Sequence, residues 1–246
     1  MRRTLVTIIT TAAVLLVPAI ALATITEVGI APGDLATVVT VGTTGPSGTT
    51  GPTSTTGLTG PTSPLPTCSA SSCEAVTETT GYQVKVGTDR GLLAVPKSGV
   101  IVAWTITLGS PTAADITYYN TTEGFGPASA GIAVLKNVGG LKFKLIARSP
   151  AVQLLPYFGE KAQFPLAHTI TVTKGEQIAL SVPTWAPALA IAGYGGTTSW
   201  RASRSAKDCD VTGVESAQLK VNSTVSYPCL YQSGRLEYSA TLITTP

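Results

Sequence analysis

The sequence predicts an all-β domain of the antiparallel sandwich or barrel kind, set behind an exported, low-complexity N-terminal region. Three observations lead there. Beyond residue 73 the chain is a series of short apolar alternations punctuated by Gly, Pro and Asn, the pattern of many short strands joined by turns. Apolar residues recur with a period of two, and no stretch sustains the 3.6-residue period of an amphipathic helix. The 246 residues are 43% hydrophobic and only 12% charged, well under the roughly 25% charged of an ordinary soluble domain. That balance excludes disorder for most of the chain.

Residues 1–23 read as a secretory signal peptide. Arg2 and Arg3 precede a mostly apolar run that closes on the small-residue pattern Ala21-Leu22-Ala23. Cleavage there leaves Thr24 at the N-terminus. The rival reading is a retained anchor, but spanning a bilayer takes about 20 apolar residues, and Thr7, Thr10 and Thr11 dilute this run.

Residues 24–41 form a short N-terminal β segment, whose strand is the β-branched run at 35–41. Such a strand docks on the domain beyond, pairs with another chain by strand addition, or stays unpaired. Residues 42–73 are a linker in which Gly opens successive triplets from Gly42 to Gly60, the phase that a collagen triple helix requires. Ser54 breaks the phase near the middle. A solvated spacer and a short trimeric stalk both fit, and the second would make a homo-oligomer through residues 35–60.

Residues 74–246 carry the β domain. Val100, Val102, Trp104, Ile106 and Leu108 alternate with Thr105 and Thr107, predicting a strand with Trp104 in the core. Leu141, Phe143, Leu145 and Ala147 alternate with Lys142, Lys144 and Arg148, which places a basic stripe on one sheet face. Ile170 and Val172 lead through Lys174-Gly175 to Ile178, Leu180 and Val182, a predicted hairpin. Leu236, Tyr238, Ala240 and Leu242 give the last strand, and further strands are expected at 82–86, 131–135, 152–155, 189–192, 198–202 and 217–221. Roughly 170 residues in one domain bury about 70% of their unfolded surface.

Val95-Pro96, Gly99-Val100-Ile101 and Trp104, then Ile170-Thr171-Val172 with Lys174-Gly175-Glu176, and last Tyr227-Pro228-Cys229 with Arg235-Leu236 and Tyr238-Ser239-Ala240, give residues 81–242 a familiar outline. This span resembles uncharacterised secreted bacterial domains of jelly-roll type. The resemblance implies a two-sheet antiparallel sandwich and carries no activity and no functional residue.

The chemistry available is narrow. Setting Arg2 and Arg3 aside leaves 14 basic against 13 acidic residues, which removes the electrostatic footprint of a nucleic-acid binder. His168 is the single histidine, it opens a predicted strand, and no G-x-S-x-G elbow exists to use it. No strand carries two carboxylates at i, i+2, the placement that would aim a glycosidase pair into a cleft. Phosphate-binding and cofactor motifs are absent, so no cofactor is expected. Cys68, Cys73, Cys209 and Cys229 suggest two disulfides, Cys209 with Cys229 and Cys68 with Cys73, although crossed pairings fit the count equally. Their spacing does not match paired zinc ligands. Asp208 and Asp210 flank Cys209 and offer a calcium alternative to a plain polar loop.

Binding is the remaining class. Trp185, Tyr194 and Trp200 fall in a Gly- and Pro-rich stretch followed by Arg201 and Arg204. Exposed aromatic rings pack on sugar rings or partner surfaces, whereas buried ones close the end of a core. Asn120-Thr121-Thr122 and Asn222-Ser223-Thr224 are glycosylation sequons. The expectation is a secreted, non-enzymatic binding module for an extracellular glycan or cell-wall polymer, with a self-assembling envelope component as the alternative.

Overall fold

The structure, a computed structural model, describes residues 24–29, 73–191, 195–211 and 216–244. The signal segment, the strand expected at 35–41, the triplet linker with Cys68, and Tyr194 lie outside the described residues. So does the proposed Cys68–Cys73 pairing.

The strands, in chain order, are β1 (Thr24–Val28), β2 (Cys73–Val86), β3 (Asp89–Arg90), β4 (Gly99–Thr107), β5 (Ser129–Gly139), β6 (Lys142–Arg148), β7 (Val152–Gln153), β8 (Lys161–Val172), β9 (Gln177–Ala190), β10 (Ser199–Ala202), β11 (Thr224–Ser226), β12 (Cys229–Gln232), β13 (Arg235–Leu236) and β14 (Tyr238–Thr244). Among the described residues there is one short α-helix, α1 (Ala113–Thr117), which runs into a π turn over Tyr118–Thr122. Every pairing is antiparallel. A four-stranded sheet runs β1-β14-β4-β8, and a ten-stranded sheet runs β11-β6-β5-β9-β2-β10-β12 with β3, β7 and β13 attached at its sides. The protein is therefore all-β, with a large curled sheet and a small one.

The main core takes Ile101, Trp104 and Ile106 from the small sheet and Ile132, Val134, Ile178, Leu180 and Val182 from the large one. A second cluster, Tyr82, Ala133, Leu135, Phe143, Leu145, Ala179 and Tyr227, lies on the other face of β5 and β9. Burial on both faces is why Ile132-Ala133-Val134-Leu135 and Ile178-Ala179-Leu180 read as unbroken apolar runs instead of alternating ones.

Four expectations need correction. Ile170–Val172 and Ile178–Val182 are not hairpin partners. β8 pairs with β4 in the small sheet while β9 pairs with β2 and β5 in the large one, so the Lys174-Gly175 turn passes between sheets. Glu176 fixes that turn, accepting from the Thr173 amide at 2.8 Å while the Gly175 amide donates to Val95 O.

In β4 the alternation is broken at Val102, where the partner strand β14 passes directly from Thr241 opposite Ala103 to Leu242 opposite Ile101. The bulge flips the phase, so Ile101 enters the core in place of Val100 and Val102. A bulge at Ile146 does the same to the basic stripe. Lys144 stands opposite Lys136, but Arg148 stands opposite Ala133 of the second cluster, so the three cations do not share a face. Finally, 217–221 is irregular chain whose Gln218 plugs the second cluster, donating to Ser223 O at 2.9 Å and accepting from the Tyr227 hydroxyl at 2.7 Å.

The disulfide expected between Cys209 and Cys229 is present, with Cα atoms 5.3 Å apart and a sequence separation of 20. It ties the loop after β10 to β12. By the chain-entropy model, closing a loop of this length stabilises by about 3 kcal/mol. A Cys209→Ala/Cys229→Ala variant is accordingly expected to melt about 6 to 12 °C lower than the parent, the shift for such a loss in a domain of this size. Matched melting curves check it.

A candidate ligand-binding cleft beside Trp185

β9 is long and contains Pro183 and Pro187, residues that a central strand ordinarily refuses because they donate no hydrogen bond. The register accounts for them. Val182 and Trp185 face Thr79 and Thr77, and Ala186 and Leu189 face Val76 and Glu74, so each proline sits in a bulge with two β9 residues against one of β2. Glu78, opposite the first bulge, adopts φ +33°.

Beyond Ser181, β9 also loses its partner β5. The chain from Leu108 to Ala128 fills that flank: the Gly109 amide donates to Pro187 O at 2.7 Å, and the Thr184 hydroxyl donates to Pro127 O at 2.8 Å. Within it α1 begins on a capping box, Thr112 and Asp115 satisfying each other's backbone amides. These bonds hold the Asp115 carboxyl below the ordinary carboxylate range.

Trp185 is the anchor. It is fully buried, its ring stacks on Tyr119 at 4.8 Å and packs against Phe158 at 5.5 Å, and its indole N–H donates to Asn120 Oδ1 at 2.7 Å and to Gly126 O at 3.1 Å. Asn120, one of the two sequon residues, is thus committed to the indole. Tyr118 stands edge-on to Tyr119 at 5.2 Å and is 48% exposed.

Two hollows meet at Tyr119 and Ala75. One, of about 170 Å³, is bounded by Glu74, Asp115 and Pro187; the other, of about 250 Å³, by Thr77, Tyr118, Glu123, Phe125 and Arg204. Together they reach the size class of small-ligand sites, which starts near 300 Å³. Burial, then the nearby charges of Asp115, Glu74 and Glu123, push the Tyr119 phenol above its ordinary range. Hydrogen bonding to Glu123 does the same for Tyr118. The cleft thus offers two phenols set edge to face, three carboxylates and one guanidinium. Rings of that kind present flat apolar faces, and carboxylates accept hydrogen bonds from hydroxyls.

The five residues singled out from sequence scatter. Trp185, a fully buried core residue, is among those that bound one hollow, and Arg204 lines the other. Trp200 is buried in the main core, stacked on Tyr231 at 4.6 Å, and presents no free face. Arg201 donates to Tyr227 O and Pro228 O at 3.0 and 2.7 Å and borders a separate hollow with Lys85 and Arg90. Arg204 donates to the Tyr231 hydroxyl at 3.0 Å and lies 5.6 Å from that ring's centre. Tyr194 is outside the described residues.

Sequence reasoning missed Tyr118, Tyr119, Glu123 and Phe125. The one available signal was Thr112-x-x-Asp115, which marks a helix start but spans too few residues to show a period.

Asp208 is half-buried and Asp210 exposed beside the disulfide, and among the described residues no three His, Cys, Asp or Glu side chains form a metal-holding group. His168 is exposed on the edge strand β8. Among the described residues no helix is long and apolar enough to cross a membrane. No family model matches the sequence, no curated protein matches it, and no solved structure matches the fold.

Proposed function

We propose that this protein is a secreted, non-enzymatic binding module, a two-sheet β-sandwich of jelly-roll type that takes an extracellular glycan in the cleft around Tyr119. One observation carries the reading: Tyr118 and Tyr119 stand side by side over a cleft walled by Glu74, Asp115 and Glu123, pairing aromatic faces with hydroxyl acceptors. Sugar rings need that pairing, since each has an apolar face and a rim of hydroxyl donors. With three carboxylates against Arg204, the cleft favours neutral or cationic sugars over anionic wall polymers.

Tyr118 is the residue to test, because its exposure frees it from the fold. Tyr118→Ala is expected to weaken binding to the best ligand of a glycan array by about tenfold, or about 1.4 kcal/mol, with an unchanged melting temperature. Equal binding by both proteins would remove the cleft from the reading.

The alternative, an envelope component that assembles with itself, is favoured by a different part of the molecule, the N-terminal strand.

A further inference from the structure

We propose that β1 is a transferable strand: it docks on β14 of its own chain or on β14 of a second copy, and the second mode links copies of this protein together. The inference does not depend on the glycan reading, since neither hollow of the cleft is lined by β1 or Gly29.

The slot for β1 is built in detail. Among the described residues β1 is an edge strand paired with β14, from Thr24 opposite Thr244 to Val28 opposite Ala240. Val28 enters the main core. The Glu27 carboxylate accepts from the Ser239 hydroxyl and, at 2.8 Å, from the Thr241 hydroxyl. Gly29 turns away at φ +108°, where a Cβ would lie 2.4 Å from Leu93 Cδ2 and 3.2 Å from Tyr238 O, so only glycine fits. A core residue, a carboxylate lock and an obligatory glycine make a specific key for this groove.

What joins this key to the rest of its chain is residues 30–72, most of them the Thr/Gly/Pro-rich spacer. Connections inside compact domains are about 4 to 6 residues long. Some 43 residues would span roughly 35 Å as a coil and about 130 Å extended. The contacts just described are all made by residues 24–29, so the β1 of a second copy can make the same contacts in the same slot.

The choice between the two modes then rests on effective concentration, which for a Thr/Gly/Pro-rich connection of this length is on the order of millimolar at most. Exchange is therefore minor in dilute solution and becomes comparable with self-docking as the protein approaches millimolar concentration, the condition of a crowded surface layer. A copy that gives its strand away leaves its own slot open for the next. The link is heterologous and repeats, while reciprocal exchange closes a dimer.

The test uses Ile25 and Ile243, which face each other across the β1–β14 pair. An Ile25→Cys/Ile243→Cys variant is made in normal and 15N-labelled batches, which are mixed near millimolar concentration, incubated warm, oxidised and digested. Mass spectrometry of the 25–243 cross-linked peptide is expected to show mixed light–heavy pairs, rising with the concentration of incubation. Only light–light and heavy–heavy pairs at every concentration would overturn the proposal. In parallel, light scattering on the unmodified protein should show multimers at the same concentrations that Val28→Asp lacks. Multimers unaffected by Val28→Asp, or a strict monomer throughout, would also overturn it.

Discussion

Trp200→Ala is expected to cost about 3 to 5 kcal/mol of folding stability, which in a domain of this size lowers the melting temperature by about 6 to 20 °C. The indole is 5% exposed and stacks on Tyr231, its cross-strand neighbour in β12. It lies down on two glycines: a Cβ at Gly81 would come within 3.0 Å of its six-membered ring, and one at Gly234 within 3.4 Å of its Nε1. Neither glycine has a side chain to fill the vacated space, while Tyr231, Leu189 and Leu236 border it, and how far those three relax sets where in that range the cost falls. A melting curve decides it. A loss below about 1 kcal/mol would mean that the ring contributes little packing and that this end of the large sheet is looser than described.

The second large effect is alkaline. Tyr227 donates its hydroxyl to Gln218 Oε1 inside the second cluster, and Tyr238 donates to Ile178 O at 3.0 Å from within the main core. Burial pushes both phenols far above the ordinary tyrosine range, and Tyr82 is raised for the same reason, with Arg201 partly opposing. The folded state holds these protons while the unfolded chain releases them near pH 10. The stability tied to them is thus fully present below pH 10 and is lost above it. Tyr227 and Tyr238, the two most strongly shifted, each contribute a slope of about 1.4 kcal/mol per pH unit, so together they give about 3. Urea midpoints measured at pH 9, 10, 11 and 11.5 should be level at first and then fall steeply, and Tyr227→Phe should take about half off the slope. A midpoint that holds to pH 11.5 would show that these hydroxyls reach water.

Strand content was legible in the sequence because it is a local property. The period-two runs around Trp104, Phe143 and Ile178 all became strands, and the Cys209–Cys229 loop closed as its spacing suggested. What was not legible depended on partners. Nothing local separates a Lys174-Gly175 turn that folds a strand back on itself from one that carries it to the opposite sheet. The bulges at Val102 and Ile146 arise from a residue missing on a neighbouring strand, yet each reverses which side chains face inward. Whether Trp185 and Trp200 bind a ligand or close the core stayed open in the sequence because Pro183, Pro187 and the glycines around them are turn formers. In the fold the prolines sit in bulges of β9, and Gly81 and Gly234 make room for the indole of Trp200. The cleft was hidden for the same reason: Glu74, Asp115 and Glu123 meet at Tyr119 only once the chain before β5 has been laid along β9.

The order of strands in the small sheet also has a consequence in time. β14 is flanked on one side by β1 and on the other by β4, so the most N-terminal described strand and one from the middle of the chain both wait for residues 238–244. In the large sheet β2 likewise waits for β9, about a hundred residues later. During synthesis the small sheet cannot be completed before residues 238–244 have been made, and until then β4 has β8 on one side and lacks its other partner. Pairings this distant make folding slow. The small sheet therefore stands open along one edge of β4 for a long stretch of synthesis, and β1, made first, is received only when β14 arrives.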